Sequence, residues 1–333
     1  MKWVVYSFIA LSVLNACNTK PESNAISVGL PAEVLLCGVD ETLAEVINRR
    51  GYRDSLLINA EAIPAIEYES GANYWITENY SSNDKYAHAI IVPIKKGESN
   101  DFVKALKNTS PEKKEKGFSI YANVWAKPQV VILFEYQDLE KDWNTHSQEI
   151  INTIADYEIS MGPRGFYAPT EQTTLYGDEL EKKFGMRLQI PAVFQIQATD
   201  SLTSWFVQDT RTFYQHILVS TASKLPANIN EAVAERDKFI ETKIKNEEGS
   251  RIIVSRSPRF KQYWKEVDIS GKKCMQLSGW YAEEGTFRRG LFYRYYFPKG
   301  NEYVVLDEFA FAPDLPKSRF ARLYNIIAHA YSD

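Results

Sequence analysis

Leu291-Phe292-Tyr293-Arg294-Tyr295-Tyr296-Phe297 and Glu302-Tyr303-Val304-Val305-Leu306-Asp307-Glu308-Phe309-Ala310-Phe311 are the two stretches that decide the fold. Both are rich in aromatic and β-branched residues, which suit a pleated, packed surface. With Lys273 to Trp280 they read as consecutive strands. Upstream, Arg187 to Ala198, Ser204 to Gln208 and Phe213 to Thr221 read the same way. Helices punctuate these runs: Leu175 to Phe184, closed by Gly185; Asn230 to Lys245; and a last helix from about Pro316, with Phe320, Leu323, Tyr324, Ile327 and Tyr331 as its apolar stripe. Helix, meander, helix, meander, helix predicts an antiparallel sheet covered by helices, an α+β arrangement.

A second region precedes it. Glu33 to Val39 is an apolar run suited to a buried strand. Asp40 can cap a helix after it, with Leu43, Val46 and Ile47 on one face. Tyr86 to Ile94, Phe118 to Val124 and Gln129 to Tyr136 read as strands, the last two joined by Trp125-Ala126-Lys127-Pro128. A short helix is expected around Phe102 to Leu106, and a longer one from Asp138, with Leu139, Trp143, Ile150, Ile154 and Tyr157 at helical spacing. Between Glu158 and Thr174 the pattern breaks, and Gly162-Pro163-Arg164-Gly165 is turn and linker chemistry. The predicted organisation is therefore two α+β domains, 32–160 and 174–333, of antiparallel sheets packed against helices.

The N-terminus carries an address. Met1-Lys2-Trp3 is followed by an apolar run from Val4 to Leu14 and then Asn15-Ala16-Cys17. A cationic start, a short apolar core and a small residue before the cut are the parts of a secretory signal, residues 1–16. The run is too short for a permanent span, which needs about 20 apolar residues. Leu14-Asn15-Ala16-Cys17 resembles the bacterial lipobox, in which the cysteine is acylated and becomes the first mature residue. Asn15 departs from the small or β-branched residue usual there. Residues 17–31, small and polar with prolines at both ends, read as a lipidated tether. The expected location is the cell envelope, lipid-anchored at the outer membrane and facing the periplasm. Asn18-Thr19-Lys20-Pro21-Glu22 has no acidic run of the kind associated with surface export.

The mature chain would have 317 residues (333 less the 16 of the leader), more than one core usually serves. A net charge of −4 argues against nucleic acid as the main partner. Cys37 and Cys274 lie far apart within apparent strands and read as two buried free thiols, although export would allow them to pair.

Several stretches carry a resemblance: Asn123 to Gln129 (NVWAKPQ), Leu180 to Gly185 with Arg187 to Pro191, Trp205 to Val207 with Gln215 to Val219, and Leu277 to Tyr281 through Glu308 to Pro313. In this order they resemble a family of Bacteroidota envelope lipoproteins described only as a domain of unknown function, over roughly residues 30 to 331. The resemblance implies an envelope location and brings no activity, cofactor or catalytic residue. The second region is also similar to folds of the Mog1/PsbP type, which implies an antiparallel sheet between helices.

No catalytic signature stands out. The nucleophile elbow, the phosphate-binding loop and the dinucleotide fingerprint are all missing. His88, His146, His216 and His329 have no ligand spacing among themselves or to a cysteine, so neither metal nor cofactor is expected. Adjacent carboxylates occur at Glu283-Glu284, read as a solvated turn, and at Asp307-Glu308, but strand neighbours point to opposite faces and form no dyad. Asp307 shares a face with Tyr303, Val305, Phe309 and Phe311 and needs a partner if buried. Arg288, Arg289 or Arg294 could supply it, as a structural ion pair at a sheet edge or as part of a ligand site. Asp307, Arg289, Arg294, Trp280 and Tyr281 are the candidate ligand-binding residues. The 7 Trp, 20 Tyr and 17 Phe fit a sheet core or, where exposed, an interaction surface. The function expected is a non-catalytic binding or assembly module with an envelope protein or glycan partner. The alternative is an envelope hydrolase for glycan or peptide, with a site assembled only in three dimensions.

Overall fold

The computed structural model describes residues 25–47, 73–167, 176–244 and 250–331, apart from positions 28, 42, 45, 79, 192, 259, 314 and 316. The predicted signal segment, Cys17 and Pro316 lie outside the described residues. So does most of the predicted tether, but not its end. Ile26 forms a parallel bridge with Lys127, and the Lys127 amide donates to the Ala25 carbonyl. The tether expected to run to Pro31 therefore already belongs to the fold by residue 25.

The protein is α+β, and its described residues form two sheets. The first has six strands: β1 (Glu33–Cys37), β2 (Asn73–Thr77), β3 (Ala89–Lys95), β4 (Lys113–Glu115), β5 (Phe118–Ala122) and β6 (Val130–Tyr136), in the order β2-β1-β3-β6-β5-β4. Its strand directions differ from the antiparallel expectation. β2, β1, β3 and β6 run parallel, and only β4 and β5 are antiparallel to their neighbours. The physical reason is burial on both faces. Val34 and Leu36 enter one core with Trp143, Ile150 and Ile154, whereas Leu35 and Cys37 enter the other with Phe102 and Leu106. Helix α2 (Asp101–Lys107), capped by Asn100, supplies the second of these layers. Before it, the described residues of α1 fall within 41–47, and Asp40 caps them through the Leu43 amide at 2.7 Å.

Helix α3 (Leu139–Tyr167) covers the other face and runs well past the predicted break. Gly162 interrupts it with φ 62° and ψ −179°, and Pro163 begins a second helical segment. The Gly-Pro pair is thus a kink within a helical span and not the predicted linker turn, because proline fits a first helical turn, where its missing donor costs nothing.

The second sheet has eight antiparallel strands: β7 (Gln195–Thr199), β8 (Thr203–Asp209), β9 (Tyr214–Ala222), β10 (Ile252–Val254), β11 (Tyr263–Ile269), β12 (Lys272–Glu283), β13 (Arg289–Lys299) and β14 (Glu302–Phe311). The path is β10-β12-β13-β14-β9-β8-β7, with β11 also paired to β12. The strand predicted from Arg187 begins only at Gln195. Met186, Leu188 and Ile190 bury from irregular chain instead, and Pro191, with no amide donor, ends any ladder there.

Among the described residues, three helices cover this sheet. α4 (Gly177–Phe184) and α6 (Lys317–His329) pack on the face carrying Tyr293, Tyr295, Leu306 and Ala310. α5 (Ile229–Lys243), capped by Asn228, packs on the face carrying Leu218, Leu277, Phe292 and Phe309. α6 also lies against α3, which brings the two halves into contact.

Candidate functional site

Alternation along β14 sends Asp307 under α5 and Glu308 under α6, as the strand period requires. Asp307 is fully buried. Arg236 of α5 donates from Nη2 to Oδ1 at 3.0 Å, and its Nε lies 3.0 Å from Oδ2. Arg294 of β13, register partner of Asp307, donates from Nη1 to Oδ2 at 3.0 Å. The clamp extends outward: Arg294 Nη2 donates to Glu235 at 3.0 Å, and the Tyr296 hydroxyl accepts from Arg294 Nε at 2.8 Å and donates to Glu235 at 3.2 Å. The Arg236 guanidinium lies 3.9 Å from the Phe292 ring centroid, and that of Arg294 4.9 Å from Phe239.

Burial acts to lower the Arg294 pKa, but Tyr296, Asp307 and Glu235 outweigh it and hold the guanidinium above its usual value. Burial pushes the Tyr296 phenol up to about 12. Beside them, His216 stacks on Phe309 with ring centroids 4.4 Å apart and accepts at Nδ1 from Trp205 Nε1 at 3.2 Å. Desolvation pushes its pKa down to about 4 despite Asp307, so the ring is neutral at pH 7.

Of the five candidates, the structure brings Asp307 and Arg294 together. Tyr281 shares their face, buried edge-on against Phe309 at 5.3 Å. Trp280 points to the other face and stacks on Phe260 at 5.0 Å. Arg289 stands exposed at the start of β13, with its guanidinium 5.7 Å from the Phe260 ring, and takes no part in the clamp. β14 lies between β13 and β9, so the predicted ion pair is at the sheet's middle and not at its edge. Sequence reasoning missed Arg236 and Glu235. Arg236 stands in the buried stripe of α5 with Ala232, Val233 and Ile240, and that spacing was the available signal. The Glu283-Glu284 pair also differs from expectation. Glu283 is buried and bonded by Ser250 at 2.5 Å, and only Glu284 faces solvent, beside Arg251.

On the opposite face, neither oxygen of the buried Glu308 carboxyl has a hydrogen-bond partner among the described residues. Burial, then the charge of Asp307, pushes its pKa well above the usual carboxylate value.

A third buried carboxylate ties the two halves together. Glu158 of α3 accepts from Arg322 of α6 at 2.7 Å, from the Ala32 amide at 2.9 Å, and meets His88 Nε2 at 2.8 Å. His88 precedes β3 instead of lying within a strand as predicted. Gly29 passes so close that a Cβ would stand 2.6 Å from His88 Nδ1, which is why glycine is needed there.

Two concavities open nearby. One of about 210 Å³ is lined by Thr199, Asp200, Thr203, Trp205, Thr242 and Lys243. The other, about 270 Å³, is lined by Met186, Lys272, Phe297, Lys299, Val304 and Tyr331 among others. Neither is lined by Asp307, Glu308 or Glu158. Among the described residues no group of three or more His, Cys, Asp and Glu could hold a metal, and no helix is long and apolar enough to cross a membrane.

The fold defines a helix-covered antiparallel sheet in which the best candidate carboxylate is clamped beneath a helix. Residues 173–328, this same second region, match the family described as domain of unknown function DUF4837. No curated protein sequence matches the chain. Among solved structures, the Ran-binding protein Mog1p of Saccharomyces cerevisiae is similar at 10% identity, covering 44% of this chain and 89% of that one, with a TM-score of 0.29. LpqN of Mycobacterium tuberculosis, described as involved in cell envelope biogenesis, is similar at 17% identity, covering 44% and 82%, with a TM-score of 0.26. A protein of unknown function from Pseudomonas aeruginosa, PA94, is similar at 16% identity, covering 42% and 83%, with a TM-score of 0.21.

Proposed function

We propose that the chain is a lipid-anchored envelope protein, held by Cys17 at the outer membrane. Its two α+β domains, 32–160 and 174–333, form a non-catalytic binding or assembly module facing the periplasm. The anchor rests on the apolar run Val4 to Leu14 ending at Leu14-Asn15-Ala16-Cys17. The observation that carries the non-catalytic reading is Asp307. A general base or nucleophile must reach a substrate, whereas this carboxylate is sealed under α5 with both oxygens engaged by Arg236 and Arg294. Its sequence neighbour Glu308 faces the other side of the sheet, so the pair cannot act on one bond.

Pulldown from crosslinked envelopes tests the module, with the expected result that an envelope protein or glycan enriches over a lipid-anchored control. Glycan or peptide turnover that Asp307→Asn abolishes without unfolding the chain would favour the hydrolase instead. The anchor has its own test. Cys17→Ser should abolish lipid labelling and release the chain from membranes, and unchanged membrane fractionation would refute it.

A further inference from the structure

Two hairpins close the same end of the eight-stranded sheet. The register pairs Asp209 with Tyr214, Tyr214 with Phe311, and Ala282 with Arg289, so the β8–β9 and β12–β13 turns lie side by side across β14. Phe287 stands at the tip of the β12–β13 turn and is 99% exposed. The turn holding it is built and bonded. Gly285 takes φ 76°, the Thr286 amide donates to the Glu283 carbonyl at 3.2 Å, and the Arg288 amide donates to Thr286 Oγ1 at 3.0 Å. Behind it, Glu283 is anchored by Ser250, and the Glu284 amide is bonded to Arg251. A phenyl ring held outward on an ordered turn presents its apolar surface in advance, without an ordering cost on contact.

Its surroundings are cationic and aromatic. Arg288 and Arg289 follow it directly, and Arg211 stands exposed on the neighbouring hairpin. Tyr214, 38% exposed, stacks with Phe311 on the same end. The acids there are partly occupied: Glu283 is buried against Arg288, and Arg251 bridges Glu241 and Glu284. Among the described residues, Asp209 is an exposed acid at this end without a cationic partner.

We propose that this end of the sheet rests on an anionic lipid surface, with Phe287 inserted among the acyl chains and Arg211, Arg288 and Arg289 at the headgroups. The proposal rests on the anchored reading, because one ring and three guanidiniums hold a free protein poorly. Tethering changes that by making the contact intramolecular. The tether is short: only residues 18–24 separate Cys17 from the first paired residues, a span of at most about 25 Å. The body is therefore held within about 25 Å of the membrane face, within reach of lipid contact. Arginine suits the headgroup layer because its apolar stem follows the ring inward while its charge stays in water.

The test uses the acylated full chain in vesicles of phosphatidylethanolamine and phosphatidylglycerol. Phe287→Cys carries an environment-sensitive dye, and Leu202→Cys, exposed on the β7–β8 hairpin at the opposite end, carries it as control. Cys37 and Cys274 are buried and do not compete for the dye. A blue shift at 287, with quenching by brominated acyl chains at least twofold stronger than at 202, is expected, and Arg288→Gln with Arg289→Gln should reduce it. Water-like emission at both positions on vesicle-bound chain would overturn the proposal. A shift at 287 that needs added envelope protein would also overturn it and mark the tip as a protein contact. If the chain carries no acyl group, the anchored reading fails separately. The body can then be held by an N-terminal histidine tag on nickel-chelating lipid and the same comparison made.

Discussion

Replacing Asp307 by asparagine removes one charge from a site with no solvent to compensate. The wild-type carboxylate accepts from Arg236 at 3.0 Å and from Arg294 at 3.0 Å, and both guanidiniums are as buried as their partner. After the change, Glu235 is the remaining carboxylate of the cluster, and its side chain is 35% exposed. Removing one partner from a buried pair costs about 3–5 kcal/mol, because the remaining charge stays desolvated and unpaired. Set against a typical total of about 5–15 kcal/mol, that is a large fraction of stability. It corresponds to a fall in Tm of roughly 6–20 °C at about 2–4 °C per kcal/mol. Urea unfolding followed by tryptophan fluorescence, with a parallel thermal scan, measures it. The triple change Arg236→Met, Asp307→Leu, Arg294→Met should recover most of the loss, since well-packed apolar side chains can replace a buried ionic group. A loss below about 1 kcal/mol in Asp307→Asn, or a triple variant no better than the single, would refute the account of the clamp as a structural network.

Other outcomes follow from the remaining buried groups. Burial works to raise the Glu158 pKa, but Arg322, His88 and the Ala32 amide outweigh it and lower the carboxyl below its usual value. Its contribution is therefore present above the unfolded carboxyl pKa, about 4.3, and is lost as pH falls through the folded value. Stability measured from pH 6 to pH 3 should decline in the wild type and decline less steeply in Glu158→Gln. Glu308 has the opposite sign. With its pKa raised by burial, it binds a proton that the unfolded chain releases, so its cost grows as pH rises above about 4.3. Glu308→Gln should gain stability at pH 7 relative to wild type and show a smaller gain at pH 4, and an equal gain at both would refute the assignment. Burial pushes the Cys274 thiol up to about 12 and that of Cys37 higher still. Titration of native Cys17→Ser chain with a thiol reagent should therefore label neither until denaturant is added.

Much of this architecture was readable from local pattern. The aromatic, alternating runs that became β12, β13 and β14 announce strands through composition and period 2. Asp138 and Gly185 mark helix ends because capping is a local interaction. Period 2 also placed Asp307 and Glu308 on opposite faces. The parallel order of β2, β1, β3 and β6 was less visible, although the unbroken apolar runs at Val34 to Cys37 and Ile90 to Ile94 are what burial on both faces looks like in a sequence. The Gly162-Pro163 pair was ambiguous because the same two residues suit a linker or a kink, and helical sequence on either side decides between them.

The sequence by itself did not show β2, β4, β10 or β11, but it marked the helices and most of the longer strands, the caps at Asp40, Asp138 and Gly185, and a leader-like apolar run from Val4 to Leu14 before Cys17. All of these depend on residues within a turn or two of each other. Only the tertiary structure decided that Arg236, 71 residues from Asp307 in the chain, closes over it, and that Arg322 reaches Glu158 across 164 residues. It also decided that Trp280 turns inward while Phe287, seven positions on, stands in water. Partner choice for a buried charge depends on which helix lies over which face of the sheet. That packing is a property of the whole chain, because each face is buried only once every element covering it is in place.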